Sequence, residues 1–297
     1  MRAHITKADR IRSAVFTAIL AVLCVAILYS FLLVLGSSFT TQKSIGKYGY
    51  NAIPKEFSTE AYKVIFEDMK TIVQSYWVTI ETTLVGTLLG VLITATMGYV
   101  LSRDDYPYRR GVGFFCYFTM LFSGGLVPTY MLIVNWLGLK NTLWAIILPG
   151  CVSVWNIMLM KSYFKSLSVS LIEAARIDGM SELGIFAKIV VPLSKPAIAT
   201  IALFFALAYW NQWYSSMLYT DTREFVSLQY MLMKIMKSLE FLSSDAAQMG
   251  MTILDPNIPT QNARMAMCVV AAGPILVVFP FFQKYFVKGI NVGAIKG

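Results

Sequence analysis

Long apolar runs alternate with shorter polar segments along most of the chain. The runs that are long enough to cross a bilayer cover residues 13–36, 77–101, 112–135, 142–161, 196–219 and 264–286. A helix needs about 20 apolar residues for that crossing. The third and fourth runs are separated only by a short turn around 137–141, which predicts a helical hairpin. The pattern as a whole predicts an all-α integral membrane protein with six transmembrane helices.

The distribution of basic residues predicts the orientation of these helices. Most of the 25 lysines and arginines lie before the first run or after the second, fourth and sixth runs. Because cytoplasmic segments carry the excess of basic residues, both termini are expected inside. This leaves cytoplasmic tails at 1–12 and 287–297, extracellular loops at 37–76 and 220–263, and a long inner loop at 162–195. Short amphipathic helices are expected in the two outer loops, at 59–71 and 227–242.

Composition agrees with a membrane location. The chain is 57% hydrophobic and only 14% charged, whereas soluble domains carry about 25% charged residues. The first run is too long for the apolar part of a signal peptide, which has about 7–15 residues, so it should stay as a helix. The net charge of +9 could indicate nucleic acid, but the basic residues flank apolar runs, so no nucleic-acid partner is expected.

Few residues are suited to metal or redox chemistry. The four cysteines all lie in apolar runs without a metal-ligand spacing and are interpreted as small buried hydrophobic residues. His4 is the single histidine and lies in the basic N-terminal tail. A histidine-based metal cluster or catalytic triad is therefore not expected.

The inner loop at 162–195 has the sequence signals of two short helices. Ser170 and Glu173 fit a capping box that would start the first helix. Gly179 suits a helix end, where glycine adopts a left-handed backbone at little cost. Ser181 can cap a second helix, and Pro192 would mark its end. The second helix is expected to place three apolar side chains on one face: Leu183, Phe186 and Ile189.

The same loop carries a family resemblance. Glu173-Ala174-Ala175, Gly179 four residues later and the pair Val191-Pro192 resemble the EAA loop of ABC importer permeases. The family pattern ends in Ile-x-Leu-Pro, so valine replaces leucine here. In the family this loop docks into a groove of a cytoplasmic ATPase, and small alanines would allow close approach. The resemblance implies a set of ATPase-coupling residues: Glu173, Ala174, Ala175, Asp178, Gly179 and Pro192.

The resemblance extends over nearly the whole chain. Segments 98–103, 122–130, 141–145 and 283–289 are similar to the carbohydrate branch, nearest to permeases for complex oligosaccharides. This implies the type I (MetI-like) importer fold over 77–286, in a bacterial plasma membrane, moving sugars inward by alternating access. The implied partners are a second homologous permease subunit, two cytoplasmic ABC ATPase subunits and an extracellular substrate-binding lipoprotein or periplasmic protein. ATP and Mg²⁺ would be bound by the ATPase, because this chain has no phosphate-binding glycine loop and no expected cofactor.

Polar and aromatic residues inside the runs are candidates for the substrate path, since they are costly in lipid unless they face a cavity or a partner. A continuous fifth helix would place Tyr209, Gln212, Trp213 and Ser216 on one face, suited to sugar rings edged by hydroxyls. An interfacial aromatic girdle explains the same pattern. The remaining candidates each have a structural alternative, namely a packing kink, an inter-helix hydrogen bond or the membrane interface: Ser123, Thr129, Asn156 and Glu81.

Two other functions are compatible with six spans. A carrier driven by an ion gradient usually has ionisable residues near the midplane and related halves, and neither is visible here. An ABC permease for an amino acid, a peptide or an ion would keep the EAA loop and change only the cargo. Dependence of uptake on a separate ATPase distinguishes the carrier from both permease hypotheses.

Overall fold

The computed structural model describes residues 7–248 and 261–293, and within these ranges the regular structure is helical, with one isolated bridge between Thr40 and Phe57. The all-α fold class is therefore confirmed. His4, residues 249–260 of the predicted second outer loop and residues 294–297 lie outside the described residues. The α-helices are α1 (Lys7–Ser38), α2 (Gln42–Tyr48), α3 (Glu60–Ile65), α4 (Met69–Ser102), α5 (Arg109–Leu121), α6 (Leu126–Met131), α7 (Leu143–Ile147), α8 (Val154–Lys165), α9 (Val169–Ile177), α10 (Glu182–Ile185), α11 (Val191–Leu193), α12 (Lys195–Trp210), α13 (Tyr214–Tyr219), α14 (Leu228–Gln248) and α15 (Gln261–Gly293). Two π-helical turns (Leu132–Trp136 and Phe186–Val190) and two 3₁₀ turns (Leu148–Gly150 and Arg223–Phe225) complete the described helical segments.

Two of these helices are long and apolar enough to span a membrane by themselves, at Arg10–Ser38 and Met69–Ser102. Three more candidates are bent pairs, so length and composition support up to five spans within the described residues. The apolar stretch Gln261–Val277 of α15 is shorter. The six-span count and the segment boundaries stay predictions.

The third, fourth and fifth runs are interrupted in the structure; a kink at Ser123 in the third run was anticipated, whereas the interruptions of the fourth and fifth runs were not. The third is bent by 112° between Leu121 and Leu126, where Gly125 has a φ of 85°. The fourth is bent by 48° just after Pro149-Gly150. The fifth ends at Trp210 and resumes at Tyr214. Glycine and proline weaken the helical hydrogen-bond ladder at the first two breaks.

The amphipathic segments of the outer loops had mixed outcomes. In place of the expected helix at 59–71 the structure has the shorter α3, Glu60–Ile65. The rest of that stretch leads into α4, which begins at Met69, before the predicted apolar run. The expected helix at 227–242 is confirmed by α14, which continues to Gln248.

The chain divides into two compact units. The first comprises Met1–Asp68 and Leu232–Pro274. Here the end of α1 packs so closely on the following loop that a Cβ on Gly36 would lie 2.1 Å from the carbonyl oxygen of Ala52. The Gln42 side-chain oxygen accepts hydrogen bonds from the backbone amides of Gln261, at 3.0 Å, and Asn262, at 3.4 Å. It thereby caps the first turn of α15, whose amides have no partner within the helix.

The second unit, Met69–Met231 with Ile275–Gly297, is built around α4. Small residues on α4 let neighbouring helices approach its backbone: Tyr209 covers Gly86, Phe205 covers Gly90 and Met160 lies against Gly98. Helices in membranes associate through such small-residue faces, because lipid provides no hydrophobic drive between them. These contacts fix α8 and α12 on α4.

The glycine contacts predict a selective effect of adding one methyl group. In Gly90→Ala the new Cβ would lie 2.7 Å from the Phe205 ring, which is 2% exposed and packed in the core. Overpacking of this kind costs about 1–3 kcal/mol, so the midpoint of thermal unfolding in detergent should fall. Gly111→Ala is the matched control, because nothing lies within 4 Å of its added Cβ. Equal midpoints for the two variants would contradict the packing described for α4.

Candidate functional site

The inner loop forms two short helices joined by a glycine turn, as expected. The first helix, α9, begins at Val169 with Ser168 as its N-cap, so the capping box from Ser170 to Glu173 was wrong. Ser170 already lies in the first turn of the helix, and its hydroxyl hydrogen-bonds Ser168 Oγ at 2.6 Å instead. The predicted start was therefore displaced by two residues.

The turn after α9 is a Schellman motif. The amide of Met180 donates to the carbonyl of Ala175 at 3.0 Å, and the amide of Gly179 donates to the carbonyl of Arg176 at 3.1 Å. Gly179 has a φ of 76°, which confirms the left-handed backbone predicted for it. Two paired hydrogen bonds therefore fix the direction in which the chain leaves α9.

The second helical segment runs from Glu182 to Leu193. Its start is capped as predicted, with Ser181 Oγ accepting from the Gly184 amide at 3.2 Å. It passes through the π-helical turn Phe186–Val190 before Pro192, whose ring lacks an amide hydrogen. It ends at Leu193, one residue after Pro192, and meets α12 at a bend of 82°.

One face of each loop helix packs into the second unit. Ile172, Ala175, Ile185 and Val190 are buried in the same hydrophobic core as Tyr99. The small side chain of Ala175 therefore packs within the core of this chain, whereas it was expected to contact a partner protein. Leu183 was expected to share a face with Phe186 and Ile189 and is 77% exposed, whereas those two pack against the core beside Ile185 and Val190.

The opposite side of the loop is exposed. Ile177 is 87% exposed although it is a large apolar side chain. Leu183, on the other side of the glycine turn, is also exposed, at 77%. The remaining predicted coupling residues are also exposed: Glu173, Ala174, Asp178, Gly179 and Pro192.

A cluster of charged side chains lies at the base of the loop and was missed from the sequence. Arg176, used there only to predict orientation, donates from Nη2 to Asp105 Oδ2 at 2.6 Å and from Nε to Glu182 Oε1 at 3.0 Å. Arg103 donates to both carboxylate oxygens of Asp105, at 3.1 and 2.9 Å. The hydroxyl of Tyr99 donates to Glu182 Oε2 at 3.1 Å.

These hydrogen bonds set the protonation state of the carboxylates. Those from Arg103 and then Arg176 hold the pKa of Asp105 far below its usual range. The bond from Arg176 lowers the pKa of Glu182 as well. Both carboxylates therefore stay ionised to lower pH than free side chains of their type, and their contacts with Arg176 persist until acid protonates them.

The break in the fifth run creates a cavity of about 230 Å³. It is lined by Gly150, Ala208, Tyr209 and residues 211–214. Trp213 and Tyr214 are 40% and 43% exposed and meet edge to face with ring centroids 5.6 Å apart. Gln212 donates from Nε2 to Ser215 Oγ at 2.6 Å, while its buried Oε1 has no hydrogen-bond partner among the described residues.

Tyr209 and Ser216 occupy different positions from those expected of a continuous helical face. Tyr209 is 3% exposed, and its hydroxyl donates to the carbonyl of Ile147 at 2.7 Å. It thus satisfies an acceptor beside the Pro149-Gly150 break, while its ring fills the space over Gly86 and Gly150. Ser216 is buried and its hydroxyl accepts from the amide of Ser227 at 3.0 Å.

The structure does not gather the other path candidates around this cavity. Ser123 Oγ accepts from the amide of Gly125 at 3.2 Å, and Thr129 donates to the carbonyl of Gly125 at 2.8 Å, so both stabilise the break in the third run. Asn156 is 6% exposed in α8. Glu81 is half-buried on α4. The lining residues Gly150 and Tyr214 were not named from the sequence, because the helix breaks that expose them were not predicted.

Bent apolar helices with a structured, exposed loop between them are compatible with a membrane permease that works with partner proteins. The chain belongs to the family described as binding-protein-dependent transport system inner membrane component, whose profile matches residues 90–292. Membership confirms the resemblance found in the EAA loop and removes the ion-driven carrier as an explanation.

Relatives with known names cover almost the whole chain. It is 39% identical over 282 residues to the polygalacturonan/rhamnogalacturonan transport system permease protein YtcP of Bacillus subtilis (strain 168), covering 95% of this chain and 96% of that one. It is 37% identical over 294 residues to Protein LplC of the same organism, covering 99% and 98%. Among solved structures, a chain of a bacterial ABC transporter involved in the import of the acidic polysaccharide alginate matches with a TM-score of 0.75 and 30% identity, covering 95% and 98%.

Two of the three aromatic residues that line the cavity should differ in their effect on stability. Tyr209→Phe removes the stronger of two hydrogen bonds to the Ile147 carbonyl and leaves only the weak thiol donor of Cys151, at 3.3 Å. A typical hydrogen bond contributes about 0.5–1.5 kcal/mol to stability. The midpoint of thermal unfolding in detergent should therefore fall. Trp213→Ala is the comparison, since Trp213 is 40% exposed and should leave the midpoint nearly unchanged. If the Tyr209→Phe protein is as stable as wild type, the structural role assigned to that hydrogen bond is contradicted.

Proposed function

We propose that this chain is the membrane-spanning permease subunit of an ATP-driven importer that moves oligosaccharides, in particular fragments of complex polysaccharides, into the bacterial cytoplasm. The observation that carries the coupling role is the rigid turn between α9 and α10, which presents Ile177 and Leu183 to solvent at 87% and 77% exposure. Exposed apolar pairs on a fixed backbone are suited to a protein groove. Because the chain belongs to a family of transport-system components, it requires such a partner.

ATP hydrolysis is assigned to two separate cytoplasmic ATPase subunits, which would bind ATP and Mg²⁺, while this chain binds neither. The loop at 162–195 docks on one of them through its exposed residues, Glu173, Ala174, Asp178, Gly179 and Pro192, with Ile177 and Leu183 as apolar contacts. The chain lies in a bacterial plasma membrane with both termini on the cytoplasmic side, because the basic residues concentrate on that side. A second, homologous permease subunit completes the path, and an extracellular binding protein delivers the substrate.

The oligosaccharide assignment is supported by the named relatives and by the cavity at the fifth-run break. Trp213 and Tyr214 offer partly exposed aromatic faces, and Gln212 Oε1 is a buried acceptor beside them. A sugar ring presents apolar faces that can stack on the aromatic side chains, and hydroxyl groups that can donate to the Gln212 oxygen. An amino acid, peptide or ion as cargo lacks this support, since the relatives named above transport polysaccharide-derived sugars or carry no substrate in their name.

Photo-crosslinking tests the docking and the orientation together. A photoreactive amino acid at Ile177 should crosslink to the ATPase in intact complexes, because that side chain is exposed on the predicted cytoplasmic loop. The matched control is Ile53, which is 81% exposed in the predicted outer loop and should give no such product. Crosslinking of the ATPase at position 53, or its absence at 177 in assembled complexes, would contradict the proposed function.

A further inference from the structure

The charged cluster at the base of the inner loop joins three separate chain segments. Arg176 lies in the last turn of α9, Glu182 begins α10, and Asp105 follows the end of α4. The Arg176 guanidinium contacts both carboxylates, so one side chain connects the loop to the core helix. Arg103 holds Asp105 from the other side at 2.9 Å.

We propose that Arg176, Glu182 and Asp105 form a charged joint that holds α9 at a fixed angle to the inner end of α4. In this role they are positioning residues for coupling: they act on this chain itself, and the ATPase contacts the exposed side of the loop. The inference rests on the proposed function, because a fixed angle matters only if α9 transmits force from a partner.

The chemistry of arginine favours a positioning role over a simple contribution to stability. The side chains of Arg176, Asp105 and Glu182 are about half exposed, at 47%, 49% and 53%. Exposed ion pairs contribute little to folding free energy. A planar guanidinium with two carboxylate partners restricts direction as well as distance, which a lysine cannot do. The joint therefore sets an orientation more than it stabilises a fold.

Tyr99 connects the joint to the transmembrane region. It is 7% exposed in α4, and its hydroxyl binds the same Glu182 carboxylate as Arg176. Further along the same helix, Gly86 contacts Tyr209, which lines the cavity. Tyr99 and Gly86 are separated by roughly 20 Å at the rise of an α-helix. If α9 tilts, the joint transmits that movement to α4. Because α4 is one continuous helix from Tyr99 to Gly86, the movement is passed on to the residues of the cavity.

Charge reversal tests the joint in the full reconstituted complex, with the ratio of receptor-stimulated to basal ATP hydrolysis as the readout. Arg176→Glu places three carboxylates together and should lower the ratio by at least about fivefold, the small end of typical coupling effects. Glu182→Arg should act similarly. The double variant restores an opposite-charge pair within the loop but leaves a carboxylate at 176 beside Asp105, so it should recover only part of the ratio. Arg110→Glu is the matched control, since it makes the same substitution at an exposed position of α5, outside the loop assigned to docking.

Glu182→Gln keeps the proposal testable if the charge-reversal variants fail to fold. It is nearly isosteric and leaves an oxygen for the Tyr99 hydroxyl, so the complex should assemble with a reduced ratio. A wild-type ratio in assembled Arg176→Glu or Glu182→Gln complexes would overturn the joint, as would a double variant no better than the single ones. The Ile177 crosslink separates the two proposals: if it forms while the ratios stay at wild type, docking stands and only the joint is lost.

Discussion

The close approach of α8 and α12 to the glycine face of α4 is the contact on which the second unit depends. Membrane helices gain little from burying apolar side chains, so the depth of their packing decides how firmly they hold together. Gly86 and Gly90 admit Tyr209 and Phe205 to the backbone of α4. The depth of that contact lets the Tyr209 hydroxyl reach the Ile147 carbonyl at the break of the neighbouring helix.

Breaks in apolar helices are tolerated only where other groups satisfy the freed backbone atoms. The fourth run illustrates this, because Pro149 and Gly150 interrupt it next to the hydroxyl of Tyr209. The fifth run opens between Trp210 and Tyr214 and leaves a cavity of about 230 Å³. Two helix interruptions and one tyrosine thus shape the region that we assign to the substrate.

Local signals in the sequence were sufficient for much of the inner loop. The left-handed Gly179 and the Ser181 cap depend on neighbours within a few residues, and both were predicted. The Arg176–Asp105 pair spans 71 residues, and no spacing rule connects them. The burial of Ala175 and the exposure of Leu183 likewise depend on where α4 lies against the loop. The face predicted in the fifth run assumed an unbroken helix; the break still leaves Tyr209, Gln212 and Trp213 around one cavity, and Ser216 lies elsewhere.

The most direct test of the account compares two substitutions at Gly179, whose left-handed turn fixes the coupling surface. No atom of this chain lies within 4 Å of a Cβ at this position, so within the chain only the backbone conformation is strained, and both variants add a side chain to the docking surface. A left-handed backbone costs an ordinary L-residue about 1–2 kcal/mol, whereas asparagine visits it routinely. Uptake of labelled oligosaccharide by assembled complexes should collapse in Gly179→Val and persist in Gly179→Asn. Wild-type uptake in an assembled Gly179→Val complex would contradict the role assigned to this loop.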